Sequence, residues 1–326
     1  MKLTVFSLCV LLLLPTSTLT AQEAAPARDS KAQAQQSPRR NPGQRLGNQR
    51  RPTHRNVQYG KDERQVMDVW LAPSDKPTPL LVSIHGGGFR SGNKSVAPEV
   101  LKACLDSGIS VAAITYRLSN TAKAPAQFHD AARAIQFLRH NAKEWNLDTS
   151  RIACIGNSAG AGLSLWLGFH DDLAQADSDD PVLRQSSRIT CASVYNGQSS
   201  YDPRFIRDLF PGTDTYRHQA LAQLYDIDMD NLDNLPEEKY RLFEETSALP
   251  HLTRDDVPVL MVYASNYDTP IRNVGIGIHH PKFGQVLKET MDKLGLPCQV
   301  HVGSDRGEWH SLTVDFVKKQ FERSEQ

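Results

Sequence analysis

Residues 152–164, IACIGNSAGAGLS, place a serine between two glycines directly after a short apolar run. The run is typical of a buried strand, and the small residues that follow are typical of a helix that packs closely. A G-x-S-x-G turn from strand to helix exposes the serine hydroxyl at the carboxyl edge of a parallel sheet. The same turn points the first N–H groups of the helix outward, where they suit a developing oxyanion. We therefore expect Ser158 to be a nucleophile and the amide of Ala159 to be an oxyanion donor.

A second glycine motif, HGGGF at residues 85–89, directly follows the apolar run 80–84. Consecutive glycines allow the amides of Gly87 and Gly88 to turn toward one point, so both are candidate oxyanion donors. By composition, chance would produce about 0.1 G-x-S-x-G motifs and about 0.003 H-G-G-G motifs in this chain. Finding both, each after a strand-like run, indicates a catalytic arrangement. Neither phosphate-binding motif, G-x-G-x-x-G or G-x-x-x-x-G-K-[ST], occurs in the sequence.

The body of the chain alternates short apolar runs with longer segments of helical period. Strands are predicted at 67–72, 80–84, 110–116, 151–155, 192–196, 259–264 and 298–302, and the clearest helices at 128–145 and 283–294. This alternation predicts an α/β fold, a mostly parallel sheet with helices on both faces. Residues 199–250 break the alternation, and we interpret them as an insertion over one edge of the sheet, at the mouth of the site. An ordinary pair of connecting helices is the alternative.

The two motifs and their order resemble the α/β-hydrolase superfamily. Within it they resemble esterases with an H-G-G-G oxyanion motif, the hormone-sensitive-lipase-like and related bacterial carboxylesterases. The resemblance spans most of residues 56–326 and is most specific at 80–90 and 110–165. It implies a Ser-His-Asp triad whose acid follows the strand after the insertion and whose histidine follows the last strand.

The acid and the base are assigned from those two positions. Asp268 lies just past the predicted strand 259–264 and is the candidate acid, with Asp305 as the runner-up because acid positions vary among triads. His310 alone among the eleven histidines lies between the last strand and the terminal helix, so it is the candidate base. The resulting order of Ser158, Asp268 and His310 along the chain matches that of α/β-hydrolases.

Other histidines are given different roles. His85 is expected to brace its loop by hydrogen bonding, and His301, within the last strand, is expected to be structural. For His279 and His280 we favour a structural or pocket-lining role over a metal site, because adjacent side chains diverge. The triad mechanism requires no organic cofactor and no metal, since water cleaves the acyl-enzyme.

The amino-terminal residues predict two segments ahead of the hydrolase domain. Residues 1–21 have a single Lys2, an apolar run and small residues near position 20, which indicate a secretory signal peptide; an uncleaved anchor is the alternative. Residues 22–55 carry eight basic and two acidic side chains with few apolar ones, which predicts a disordered basic linker. A basic arm that binds an anionic cell-surface polymer is the alternative reading. The hydrolase domain is expected over 56–326.

Charge and composition reduce the number of function classes that the sequence allows. The chain has 37 basic and 37 acidic side chains, and its mildly acidic body gives no reason to expect nucleic-acid binding. No further apolar stretch is long enough to span a membrane after cleavage. These features predict an exported, periplasmic or secreted, serine carboxylesterase acting on a small-molecule or polysaccharide-linked ester. The alternatives are a carbohydrate esterase (acetyl xylan or feruloyl esterase) and a non-catalytic binding module on the hydrolase scaffold.

Overall fold

The computed structural model describes residues 50–324. The predicted signal peptide and residues 22–49 of the predicted linker lie outside the described residues. The strands are β1 His54–Gln58, β2 Val66–Trp70, β3 Thr78–Ile84, β4 Ser110–Ile114, β5 Leu147–Asn157, β6 Cys191–Tyr195, β7 Val259–Val262 and β8 Cys298–His301. The α-helices are α1 Pro98–Asp106, α2 Ala126–His140, α3 Ala159–Phe169, α4 Pro203–Leu209, α5 Gln219–Tyr225, α6 Glu237–Glu245, α7 Val274–Ile278, α8 Lys282–Leu294 and α9 Arg306–Arg323.

The eight strands form one sheet in the order β1-β2-β4-β3-β5-β6-β7-β8. Strands β1 and β2 pair antiparallel with each other, and β2 pairs antiparallel with β4. All other neighbours are parallel. Because parallel strands end at the same edge, the loops after β3, β5, β6, β7 and β8 meet at one side of the molecule. This is the α/β-hydrolase fold that the sequence predicts.

Helices cover both faces of the sheet. Leu80 and Val82 of β3 pack into a cluster that includes Phe128 of α2, Trp166 of α3 and Phe283 of α8. The opposite face is covered by α1 and α9 through a second cluster, whose members include Leu81, Leu101, Cys104, Phe316 and Val317. Alternate side chains of β3 therefore enter different clusters, as expected for a strand buried on both faces.

Strand β1 has no counterpart in the sequence prediction. Its residues HRNVQ are exposed or half-buried, so they lack the apolar pattern by which the other strands were recognised. The predicted linker boundary at residue 55 falls inside this strand. The preceding residues also contact the sheet: the Trp70 indole donates to the Arg50 carbonyl at 2.7 Å, and the Leu71 amide donates to Thr53 Oγ1 at 3.0 Å.

Residues 199–250 contain helices α4, α5 and α6 with short 3-10 turns and no strand. The segment contributes Tyr201, His218, Ala220, Leu221 and Gln223 to the lining of the cavity that contains Ser158. It therefore lies over the carboxyl edge of the sheet, where the sequence predicts an insertion. Within residues 50–324, no helix combines the length and hydropathy needed to cross a bilayer.

Candidate active site

Ser158 occupies a sharp turn between strand β5 and helix α3. Its backbone has φ +51° and ψ −119°, a conformation that L-residues rarely adopt outside strained functional turns. The Ser158 amide donates to the Tyr195 carbonyl of the neighbouring strand at 3.0 Å, which holds the turn in place. The hydroxyl thus stands at the carboxyl edge of the sheet, as the G-x-S-x-G motif predicts.

Close backbone contacts explain the glycines on either side of Ser158. A Cβ at Gly160 would lie 2.1 Å from the Ile84 carbonyl oxygen, and a Cβ at Gly156 would lie 2.3 Å from the backbone of Gly160. Backbone atoms cannot move aside as the end of a flexible side chain can. The motif therefore requires glycine at both positions for α3 to pack against β3 and β5.

The HGGGF loop follows β3 in a left-handed conformation, with φ +104° at Gly87, +59° at Gly88 and +59° at Phe89. Gly87, Gly88 and Ala159 all line the cavity that contains Ser158. Within residues 50–324, their three amides have no hydrogen-bond acceptor. Three residues that line the Ser158 cavity therefore carry amide donors without a protein acceptor.

His85 packs beneath this loop. Its Nδ1 lies 2.7 Å from the Gly86 carbonyl, and its ring stacks on Tyr116 with centroids 4.2 Å apart. The Tyr116 hydroxyl in turn donates to the His85 carbonyl at 2.9 Å. Burial lowers the pKa of His85 to about 4, so the ring is neutral at physiological pH. These contacts fit the bracing role expected from the sequence.

His279, at the carboxyl end of α7, is the histidine that meets Ser158. The Ser158 hydroxyl and His279 Nε2 are 2.9 Å apart, while His279 Nδ1 lies 2.9 Å from the Gly275 carbonyl oxygen. A carbonyl oxygen can only accept, so Nδ1 carries the proton and the lone pair of Nε2 faces the serine hydroxyl. Burial lowers the pKa of His279, against a smaller opposing effect of the Gly275 hydrogen bond.

The structure does not bring His310, the base expected from the sequence, to Ser158. Helix α9 begins at Arg306, so His310 lies one turn inside the helix rather than in a loop. Its Nδ1 is 2.7 Å from Glu99 Oε1 of α1, and it lines a separate cleft between α1 and α9. Contrary to the expectation from the sequence, the chain enters α9 before it reaches His310. The His310 side chain therefore faces α1 and not Ser158.

Neither acid candidate contacts a histidine. Asp268 is exposed in the turn after β7, and within residues 50–324 its carboxylate makes no hydrogen bond. Asp305, the runner-up, caps α9 by accepting from the Glu308 amide at 2.8 Å. In the described chain the imidazole of His279 is therefore held by the backbone carbonyl of Gly275 in place of a carboxylate.

The cavity around Ser158 has a volume of about 740 Å³. Side-chain amides are frequent in its lining, from Asn120, Asn157, Asn196, Gln198 and Gln223. Arg90 and Arg306 also line it, and none of the residues from 50 to 324 places a carboxylate in its lining. Such a lining can hydrogen bond to polar substrate groups as well as to the reacting carbonyl.

The contact of His279 with Ser158 was not predicted from the sequence, which indicated a structural or pocket-lining position for this residue. Adjacent His279 and His280 diverge as expected: His279 faces the cavity, whereas His280 is buried against Phe210 with ring centroids 5.5 Å apart. The available signal was position, since GIGIHHP at 275–281 lies on the connection that leaves the carboxyl end of β7. Connections from that edge supply the catalytic groups in open α/β sheets.

Comparison with known proteins identifies the family of the chain and several relatives. Residues 67–272 match the BD-FAE family. The esterase LipC of Mycobacterium tuberculosis is 26% identical over 220 residues, which are 66% of this chain and 52% of LipC. The chain therefore spans about half the length of that relative.

Two solved structures have the same fold. A truncated form of a carbohydrate esterase from gut microbiota aligns with a TM-score of 0.63 and 22% identity, over 84% of this chain and 96% of that one. An acetyl ester-xyloside bifunctional hydrolase from Caldicellulosiruptor lactoaceticus aligns with a TM-score of 0.61 and 21% identity, over 78% and 87% of the two chains.

Proposed function

Because the chain belongs to the BD-FAE family, we propose that it is a serine hydrolase that cleaves carboxylic esters with a Ser158–His279 pair. The observation that carries the proposal is the 2.9 Å contact between Ser158 Oγ and His279 Nε2 at the strained turn after β5. This is the distance at which a general base takes a proton from a nucleophile. Curated relatives named as esterases support the same reaction class.

In the first half of the reaction, His279 Nε2 accepts the hydroxyl proton as Ser158 Oγ attacks the ester carbonyl carbon. The Gly275 carbonyl holds the other ring nitrogen in its protonated form, which keeps the lone pair on Nε2. A backbone carbonyl offsets the positive charge of the imidazolium less than a carboxylate does. The Gly275 carbonyl therefore orients His279 as a triad acid would, but it stabilises the positive charge of the imidazolium less.

The amides of Gly87, Gly88 and Ala159 are proposed to donate to the oxyanion of the tetrahedral intermediate. Each donor aimed at a developing oxyanion lowers the barrier by about 3–4 kcal/mol. The imidazolium of His279 then protonates the leaving alcohol, and the acyl-enzyme remains. Water, deprotonated by His279, hydrolyses the acyl-enzyme and regenerates the Ser158 hydroxyl.

The pH dependence of the rate follows from the pKa of His279. Only the neutral imidazole can accept the serine proton, and burial lowers its pKa below the usual 6.5. We therefore expect kcat/KM to fall as the pH drops through that lowered pKa, with the acid limb centred below 6.5 and a plateau at neutral pH. A pH profile with p-nitrophenyl acetate tests this, and a limb centred above 7 would contradict it.

Steady-state hydrolysis of p-nitrophenyl esters with acyl chains from C2 to C12 tests the proposed function. We expect saturable hydrolysis by the purified chain, with the preferred acyl length set by the cavity of about 740 Å³. Absence of hydrolysis together with absence of labelling by a fluorophosphonate would favour the non-catalytic binding module. Labelling without hydrolysis would instead indicate a selective enzyme.

A carbohydrate esterase is the second candidate function. Amide side chains, which suit sugar hydroxyls, are frequent in the cavity, and solved structures with this fold include carbohydrate esterases. If this candidate is right, kcat/KM for acetate release from acetylated xylan exceeds kcat/KM for p-nitrophenyl acetate. Feruloylated arabinoxylan distinguishes an acetyl from a feruloyl esterase. No release from either polymer would restrict the function to simple esters.

Export through residues 1–21 is also proposed, on the apolar run that follows Lys2. We expect the mature chain to begin at Ala21 or Gln22, since small residues occupy positions 18, 20 and 21. Amino-terminal sequencing of the protein recovered from outside the cytoplasm tests this expectation. An intact Met1 on the exported protein would favour the uncleaved anchor.

A further inference from the structure

Three metal-binding side chains converge away from the Ser158 cavity. His170 follows the last residue of α3, Glu245 ends α6, and His251 lies in the 3-10 turn Leu249–His251. One potential ligand atom from each lies within 4.8 Å of the other two, and all three residues are half-buried. His170 Nε2 and Glu245 Oε1 are 3.1 Å apart. Residues distant in sequence thus meet at one point.

Backbone carbonyls orient both imidazoles of this cluster. His170 Nδ1 lies 2.9 Å from the Asp171 carbonyl, and His251 Nε2 lies 2.9 Å from the Glu245 carbonyl. Because carbonyls only accept, these two nitrogens carry protons, and each ring retains a lone pair on its other nitrogen. An outer hydrogen bond that fixes the tautomer in this way is characteristic of metal-binding histidines.

The contact between His170 and Glu245 is either an ion pair or part of a cation site. With Nδ1 protonated, a neutral His170 presents the lone pair of Nε2 to the Glu245 carboxylate, so two acceptors face each other at 3.1 Å. Either a second proton on the ring or a bound cation removes this conflict. A cation satisfies the Glu245 carboxylate and both imidazoles together.

We propose that His170, Glu245 and His251 bind a zinc ion. Two imidazoles and one carboxylate form a donor set that suits Zn²⁺ and leaves a fourth position for water. Hard cations such as Mg²⁺ and Ca²⁺ prefer oxygen ligands and fit this set poorly.

The site connects α3, the helix that follows Ser158, to the insertion. Helix α3 begins directly after Ser158 and ends beside His170, while Glu245 and His251 belong to the end of the insertion and the turn that follows. Trp166 of α3 bridges the same elements, since its indole donates to the Glu245 carbonyl at 2.7 Å. None of the three ligands lines the Ser158 cavity, so the zinc has a stabilising role and takes no part in ester cleavage.

Zinc binding to the untagged full chain tests the proposal. After chelation and removal of the chelator, we expect equilibrium dialysis to give one zinc per chain. Zinc at about 100 times its Kd is expected to raise the Tm by about 5–10 °C. Cobalt provides a readout on the wild-type protein alone, because coordination by two imidazoles and a carboxylate gives Co²⁺ a visible absorption band that excess zinc abolishes.

Variants identify the ligands. His251→Gln and Glu245→Gln are expected to lose both the bound zinc and the Tm increase. His310→Gln is the matched control, because it removes another histidine–glutamate contact, the 2.7 Å pair with Glu99. Wild-type protein that binds no zinc and gives no cobalt band would overturn the proposal and leave an ordinary ion pair. Zinc retained by folded His251→Gln and Glu245→Gln would overturn it as well.

Discussion

Replacing Ser158 with alanine is expected to lower kcat for p-nitrophenyl ester hydrolysis by about 10⁴–10⁶-fold, with no loss of folding. The substitution removes the only atom that forms the acyl-enzyme, while the oxyanion donors and the cavity stay in place. Residual activity would come from those donors acting on a bound ester and water. Steady-state kinetics with p-nitrophenyl acetate, beside a thermal unfolding curve, provides the measurement.

Ser164 supplies the matched control for that experiment. It lies on the same helix, and its buried hydroxyl donates to the Gly160 carbonyl at 2.8 Å. Ser164→Ala is expected to keep most of the activity, because this hydroxyl does not line the cavity. Comparable losses in both variants would show that disturbance of α3, rather than loss of the nucleophile, explains the result.

Replacing His279 with glutamine is expected to lower kcat/KM by at least about 1,000-fold. The amide keeps much of the polarity of the imidazole but cannot accept the serine proton and return it to the leaving alcohol. Two matched variants replace His310 and Asp268, to which the resemblance assigns the roles of base and acid. His310→Gln acts at the α1–α9 cleft, and Asp268→Asn acts at an exposed turn, so both are expected to retain activity close to that of the wild type.

One result for Asp268→Asn would contradict the proposed Ser158–His279 pair. Loss of a triad aspartate lowers kcat by about 10⁴-fold, because the histidine then adopts the wrong tautomer. In this protein the Gly275 carbonyl fixes the tautomer, and that carbonyl is unchanged in Asp268→Asn. A loss near 10⁴-fold in Asp268→Asn or His310→Gln would mean that the working enzyme assembles the triad implied by the resemblance.

The fold could be predicted because its signals are local. Apolar strand runs and the two glycine motifs fix the parallel sheet, and the backbone contacts at Gly156 and Gly160 show why those glycines are needed. Strand β1 could not be found in this way, since an edge strand with mostly exposed side chains has no apolar pattern. Its place follows from pairing with β2, which only the folded chain provides.

The resemblance implies His310 as the base, whereas the histidine that the structure places beside Ser158 is His279. Asp305 followed by Glu308 three residues later is a helix-start pattern, and Asp305 does cap α9. This pattern predicts that His310 lies inside a helix. For His279 the sequence offers only its place on the connection after β7, and its contact with Ser158 depends on the path of that connection toward α8.

The proposed zinc site could not be predicted from the sequence either. His170 and His251 are separated by 81 positions, and Glu245 lies between them on a different helix, so no compact metal-binding motif exists to be read. The insertion folds back on the end of α3 and brings the three side chains together. A site of this kind depends on tertiary structure and is invisible to spacing rules.

The rate of labelling by an active-site fluorophosphonate, with the modified residue mapped by mass spectrometry, tests the Ser158–His279 pair most directly. It reports activation of the serine without requiring knowledge of the natural ester. We predict modification at Ser158 in the wild type and at a similar rate in His310→Gln, and labelling slowed at least about 100-fold in folded His279→Gln. Normal labelling of His279→Gln, together with loss of labelling in His310→Gln, would contradict the proposed catalytic pair.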